Sequence, residues 1–170
     1  MKQKMLNEMR IIKIERVVLS YGGIKDELAK GVKLLEKLTK RKPSIRKTKK
    51  RIPGFGIRPK LEVGCISTLR GKEAENLLKR LLASIDNKVN EKQIVDNHFS
   101  FGIKEYIEIP GEEYDREIGI TGLNVSVVFS RKGKRVKLKK IKRGKLPRKQ
   151  NVTKEEIIKY LKDKFGTEVD

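Results

Sequence analysis

Ile11-Ile12-Lys13-Ile14-Glu15-Arg16-Val17-Val18-Leu19-Ser20-Tyr21-Gly22-Gly23-Ile24, running on through Lys25 into Asp26-Glu27-Leu28-Ala29-Lys30-Gly31-Val32-Lys33-Leu34-Leu35-Glu36-Lys37-Leu38, holds two periodicities that decide the fold. The first part is rich in β-branched residues and closes on two glycines, which predicts a strand over Arg10 to Ser20 ended by a turn. In the second part Ile24, Leu28, Val32, Leu35 and Leu38 recur at spacings of four, four, three and three. That places them on one face of a helix spanning Ile24 to Thr39. The pair then repeats. Leu61, Val63, Cys65, Ser67 and Leu69 alternate with Glu62, Gly64, Ile66 and Thr68, as in a strand whose two faces serve different purposes. Gly71 stops it, and Ala74, Leu77, Leu78, Leu81, Leu82 and Ile85 make an apolar stripe over Lys72 to Ile85.

Further along, Asn97 to Ile103 and Tyr106 to Ile109 read as extended, Pro110-Gly111 as a turn, and Gly122 to Ser130 as a strand led by Val125, Val127, Val128 and Phe129. Thr153 and Glu156 form a capping box before Ile157, Ile158 and Leu161, with Gly166 as the stop of a last helix. The order strand, helix, strand, helix, strands, helix predicts one α+β domain over residues 1–170. It has a mainly antiparallel sheet, helices packed on one face, and an open face for a ligand. There is no internal repeat.

The chain carries 43 Lys and Arg against 22 Asp and Glu, a net charge of +21, far beyond what solubility requires. The excess is segregated. Residues 40–60 hold ten basic residues and no acid, and residues 131–149 hold twelve and no acid, leaving 21 basic and 22 acidic residues elsewhere. A solvated face mixes signs, so two acid-free segments point to a polyanion. Pro43, Pro53, Gly54, Gly56 and Pro59 make the first segment a basic loop with short extended pieces. In the second, Val136-Lys137-Leu138-Lys139-Lys140-Ile141 partly alternates, which predicts a charged ribbon continuing the sheet.

Within the loop, cations that give phosphate affinity are interleaved with Ile45, Ile52, Phe55 and Ile57. Phe55 stands between glycines, where its ring either stacks on an unpaired base or pins the loop. Thr68 and Arg70 share a side of their strand by its two-residue period and suit phosphate or ribose together. Catalysis lacks parts. His98 is the only histidine and Cys65 the only cysteine, so neither a disulfide within the chain nor a cysteine metal cluster is available, and their strand contexts give no reason to pair them as a His-activated nucleophile. Cys65 reads as a buried strand residue. Glu112, Glu113 and Asp115 follow a turn, where they are either a solvated acidic turn or ligands of a divalent cation. Gly54-Phe55-Gly56 lacks the Lys and Ser or Thr of a P-loop. No stretch approaches the about 18 apolar residues of a membrane span, and Met1 to Arg10 lacks the apolar run of a signal peptide. The expected setting is cytoplasmic, without membrane or cofactor.

Five blocks in order resemble the ribosomal protein L5 family of the large subunit, in its archaeal and eukaryotic form. They are Ile14 to Leu19; Lys42-Pro43 with Arg46 to Arg58; Ser67 to Gly71; Phe99 to Ile103; and Ile109-Pro110-Gly111 with Tyr114-Asp115 and Gly119 to Leu123. The likeness runs to Val152-Thr153-Lys154-Glu155-Glu156. It implies a non-enzymatic component of the ribosome that binds 5S rRNA and adjacent 23S rRNA in the central protuberance. On this reading the rRNA contacts are Ser20, Arg41, Lys42, Arg46, Lys60, Thr68, Arg70, Lys137, Lys139 and Lys140. The loop carrying Lys47, Lys49, Lys50, Arg51, Phe55 and Arg58 reaches toward the P-site tRNA, and a neighbouring surface bridges to a small-subunit protein. Two positions depart from the family pattern: Ser20 stands where Asn is usual, and Lys40-Arg41 where Gly-Gln often precedes Lys-Pro. Arg41 exchanges an amide for a charge that still suits phosphate.

Two other functions compete. A metal-dependent RNA-processing enzyme would use Glu112, Glu113 or Asp115, and a general architectural protein would bind any duplex by charge alone.

Overall fold

The structure is a computed structural model and describes residues 7–169. The strands are β1 (Ile12–Gly22), β2 (Ser44–Lys47), β3 (Glu62–Leu69), β4 (Lys88–Val89), β5 (Ile94–Val95), β6 (His98–Ile103), β7 (Leu123–Arg131) and β8 (Glu168–Val169). Between them lie the helices α1 (Asp26–Thr39), α2 (Lys72–Ala83), α3 (Arg135–Leu138) and α4 (Lys154–Phe165). Six strands form one antiparallel sheet in the order β2-β3-β1-β7-β6-β5, and β4 with β8 form a small parallel pair. This is the α+β architecture expected from the pattern.

Alternation along the strands separates the two faces. Val17 and Leu19 of β1, Cys65 and Leu69 of β3, Phe99 and Phe101 of β6, and Val125, Val127 and Phe129 of β7 are buried beneath the helices. Ser67 lies in the same layer, its hydroxyl bonded to that of Thr39 at the end of α1 at 3.2 Å, so a polar residue on the core face finds a partner. Leu77, Leu78, Leu81 and Leu82 of α2 and Ile157 and Leu161 of α4 complete the core. Phe129 meets Tyr160 edge-on, joining α4 to the sheet. Burial raises the Cys65 thiol to about 11, so it is an inert core residue.

The α2 stripe is as read, whereas on α1 Ile24 precedes the helix, Val32 is only partly buried, and Leu34, outside the expected stripe, is fully buried. Gly31 of α1 is buried too, and the ring of Tyr21 lies over it so closely that a Cβ would overlap it. A glycine carries no apolar signal, and the sequence pattern passed over it. Gly31→Ala is expected to destabilise by about 1 to 3 kcal/mol through overpacking, against a gain of about 1 kcal/mol in helix propensity. In a Tyr21→Ala background the same change should be neutral or stabilising, read as a double-mutant cycle by urea unfolding. Equal losses in both backgrounds would show that the ring is not the obstacle.

Three local expectations are corrected. β1 starts and ends two residues later than read, because Tyr21 and Gly22 still pair with Cys65 and Gly64. Tyr106 to Ile109 is not extended: Tyr106–Glu108 is a 3-10 turn with Tyr106 buried, its hydroxyl accepting the Asp115 N–H at 2.7 Å. The segment Val136 to Ile141 is not a ribbon. Arg135–Leu138 is a single helical turn, and no strand follows it until β8. The last pair between β1 and β7 is Ile12 with Arg131, so among the described residues no neighbouring strand remains for the chain to pair with. The capping box at Thr153 and Glu156 and the left-handed Gly166 bound α4 as expected.

Candidate nucleic-acid interface

The face of the sheet away from the helices is crossed by two rows of residues in register. One reads Ser44, Ile66, Ser20, Asn124 and Gly102 from β2 to β6; the next reads Thr68, Val18, Ser126 and Ser100. Neither row holds an acid. Hydroxyls and an amide are donors and acceptors of short reach, suited to phosphate oxygens and ribose hydroxyls. Ser20 sits mid-sheet, half-buried, with its Oγ 3.5 Å from the Asn124 carbonyl. Thr68 is half-buried on the same face, and Arg70 is exposed just beyond the end of β3. A third row contains Arg16, Val128 and His98. The Nε of Arg16 is buried without a hydrogen-bond partner among the described residues. Sequence reading did not single out Ser44, Asn124, Ser126, Ser100 or Arg16, although the alternation of Asn124 and Ser126 with Leu123, Val125 and Val127 carried the signal for two of them.

β2 and β3 lead into an arm formed by residues 47–61. Thr48 and Leu61 pair through Thr48 N–H to the Leu61 carbonyl at 2.9 Å, and the Thr48 hydroxyl reaches the Arg58 carbonyl at 2.6 Å. Near the tip Ile52 and Ile57 exchange both backbone bonds, at 3.0 and 3.1 Å, around a 3-10 turn at Pro53–Phe55. Gly56 closes it at φ 63°, a conformation that favours glycine. Phe55 is 75% exposed at this tip, so it does not pin the loop. Lys49, Lys50, Arg51 and Arg58 are exposed around it, and Lys60 and Arg46 lie at its base. Lys47 faces Glu62 at 3.2 Å. Arg41 is held by Glu73 of α2 at 2.5 Å and stands apart from the two rows, while Lys42 is exposed beside it.

The second basic segment divides in two. Its first cations are answered by distant acids: Arg131 by Glu156 at 2.5 Å, Lys132 by Glu8 at 2.6 Å, and Lys134 by Glu15. The hydrogen bond from Lys132, first, and its charge hold the Glu8 carboxyl below the usual carboxylate range. From Arg135 to Arg143 the cations are exposed, Lys137, Lys139 and Lys140 among them, with Leu138 and Ile141 66% and 81% exposed between them.

After the Pro110 turn the carboxylates of Glu112 and Asp115, and the backbone of Glu113, are used in holding the chain. Glu112 binds Arg80 at 2.7 Å, the Glu113 carbonyl accepts from Lys37 at 3.0 Å, and Asp115 Oδ1 accepts the Glu117 N–H at 2.9 Å. Among the described residues no three His, Cys, Asp or Glu are placed to hold a metal ion, and no helix is long and apolar enough to cross a membrane.

Two acid-free rows across the middle of the open face, flanked by a basic arm and a basic segment, have the make-up of a structural nucleic-acid-binding protein. The family comparisons give that class a particular form. Residues 7–58 match the family model for ribosomal protein L5, and residues 62–160 match the model for the C-terminus of the same ribosomal family. A protein of Nanoarchaeum equitans named large ribosomal subunit protein uL5 is 41% identical over 168 residues, covering 97% of this chain and 99% of its own. Its namesake in Methanococcus maripaludis is 41% identical over 167 residues (95% and 92%), and that of Methanosphaera stadtmanae 39% over 150 residues (88% and 88%). The chain belongs to the ribosomal protein L5 family. It is thus a structural component of the large ribosomal subunit in the cytoplasm, and not an enzyme.

Proposed function

We propose that the chain binds 5S rRNA on the open sheet face and adjacent 23S rRNA through its basic segments, within the central protuberance. Residues 1–170 act as one α+β unit, with 40–60 and 131–149 as its RNA-directed extensions. The observation that carries this is the pair of acid-free rows spanning five strands beside exposed cations. Ser20 and Thr68 contact RNA from the rows, with Arg46, Lys60 and Arg70 at their margin. Lys137, Lys139 and Lys140 add phosphate contacts from α3 onward. Arg41 and Lys42 serve at the rim, Arg41 only where phosphate displaces Glu73.

The arm reaches toward the P-site tRNA. Its support is the projecting hairpin with Phe55 exposed at the tip and Lys47, Lys49, Lys50, Arg51 and Arg58 around it. A neighbouring surface meets a small-subunit protein.

Binding to 5S rRNA, a tRNA and a DNA duplex over a salt series tests the reading. A surface that neutralises about six to ten phosphates loses on the order of a thousandfold or more in affinity between 50 and 200 mM salt. The 5S rRNA should keep a large advantage at the higher salt. Equal affinity for all three would reduce the protein to a general polyanion binder.

A further inference from the structure

After β7 the chain folds back and lines a half-open cavity of about 670 Å³. Val128 and Leu146 supply apolar wall, Lys137, Arg143 and Lys145 supply charge, and Asn151 an amide; no acid lines it. The wall is held by the protein itself. Gly144 N–H donates to the Val136 carbonyl at 3.1 Å and Arg143 Nε to the Lys137 carbonyl at 2.6 Å. Asn97 Oδ1 accepts the Val152 N–H, and Gln150 Nε2 donates to the Lys132 carbonyl, both at 2.9 Å. Lys134, also at the cavity, is answered by Glu15, which lies outside its lining.

Cations alone would suit any anion, but the volume and the apolar wall suit something larger than a phosphate group. Pockets of this size hold small organic molecules. RNA is commonly read by taking unpaired bases out of the stack into apolar surroundings. Val128 and Ser130 belong to the same sheet face as Ser20 and Ser126, through the alternation of β7 and its pairing with β1. The cavity therefore opens beside the proposed RNA surface.

We propose that it receives one unstacked nucleotide of the bound RNA, the base against Val128 and Leu146 and the phosphate answered by Lys137, Arg143 and Lys145. This rests on the RNA-binding reading above and names a site within it.

The test is an NMR titration of the full chain with AMP, CMP, GMP and UMP, with inorganic phosphate and a polyglutamate peptide as references. At least one nucleotide should shift the amides of Val128, Ser130, Gly144 and Leu146 in a saturable way and bind about tenfold or more tighter than inorganic phosphate. Lys137 and Lys145 are exposed, so a Lys137→Ala, Lys145→Ala variant should keep its thermal unfolding while losing the shifts and about tenfold in 5S rRNA affinity. Equal response to inorganic phosphate would leave an anion site only. Tighter binding of polyglutamate would make the cavity a docking site for an acidic protein. Absence of shifts with every nucleotide would overturn the proposal outright. If wild-type protein does not bind 5S rRNA the proposed 5S-binding function fails, while the nucleotide titration still decides the cavity.

Discussion

Replacing Ser20 and Ser126 together by glutamate is expected to weaken binding to 5S rRNA by about a hundredfold at fixed salt. The two residues lie in adjacent rows of the open face, on neighbouring strands β1 and β7. Both are half-buried and point away from the helices. On the proposed reading each new carboxylate would meet phosphate oxygens that a hydroxyl would otherwise bond. Like-charge contacts within an interface cost several kcal/mol, and about 1.4 kcal/mol is a factor of ten. A Ser20→Ala, Ser126→Ala control loses only two hydrogen bonds and should fall by about tenfold or less. Because neither side chain enters the core, thermal unfolding of both variants should stay near wild type. Wild-type affinity in the glutamate variant would mean that the sheet face does not meet RNA and that the basic segments alone carry binding.

Glu156→Ala is expected to cost about 3 kcal/mol of folding stability, although the residue is itself partly exposed. Both of its carboxylate oxygens accept from one Arg131 nitrogen, at 2.6 and 2.5 Å, and Oε2 also takes the Thr153 N–H at 3.1 Å. The Arg131 side chain is only 9% exposed, whereas that of Glu156 is 41%. Removing the carboxylate strands a buried guanidinium and opens the capping box of α4. Arg131→Ala should cost less, since water can answer the carboxylate left behind. Burial works to raise the Glu156 carboxyl, but the bonds from Arg131 and Thr153 outweigh it and hold the group below its ordinary value. Its folded value is lowered, so the stability it contributes is present above the ordinary carboxylate range and is lost as pH falls through the folded value. Urea unfolding at stepwise lower pH should show wild type converging on Glu156→Gln. A gap that persists at the acid end would assign the effect to packing rather than charge.

Much of this was legible along the chain because the patterns are local. Residues four and three apart must share a helix face, and alternate residues must share a strand face, whatever lies elsewhere. The stripes of α1 and α2, the two-sidedness of β3, the cap of α4 and the open sheet face follow from that, as does a polyanionic partner from two acid-free segments. What the chain alone did not reveal depends on residues far apart in it. Arg131, Lys132, Lys134 and Arg41 counted as free cations until folding set them against Glu156, Glu8, Glu15 and Glu73. The alternation of Val136 to Ile141 suited a strand, but a strand also needs a neighbour, and β1 has no residue left to pair beyond Arg131. The cavity beyond β7 and the overlap of Tyr21 with Gly31 are likewise products of packing. Periodicity is a property of neighbours in sequence, whereas pairing, closure and enclosed volume exist only once distant segments meet.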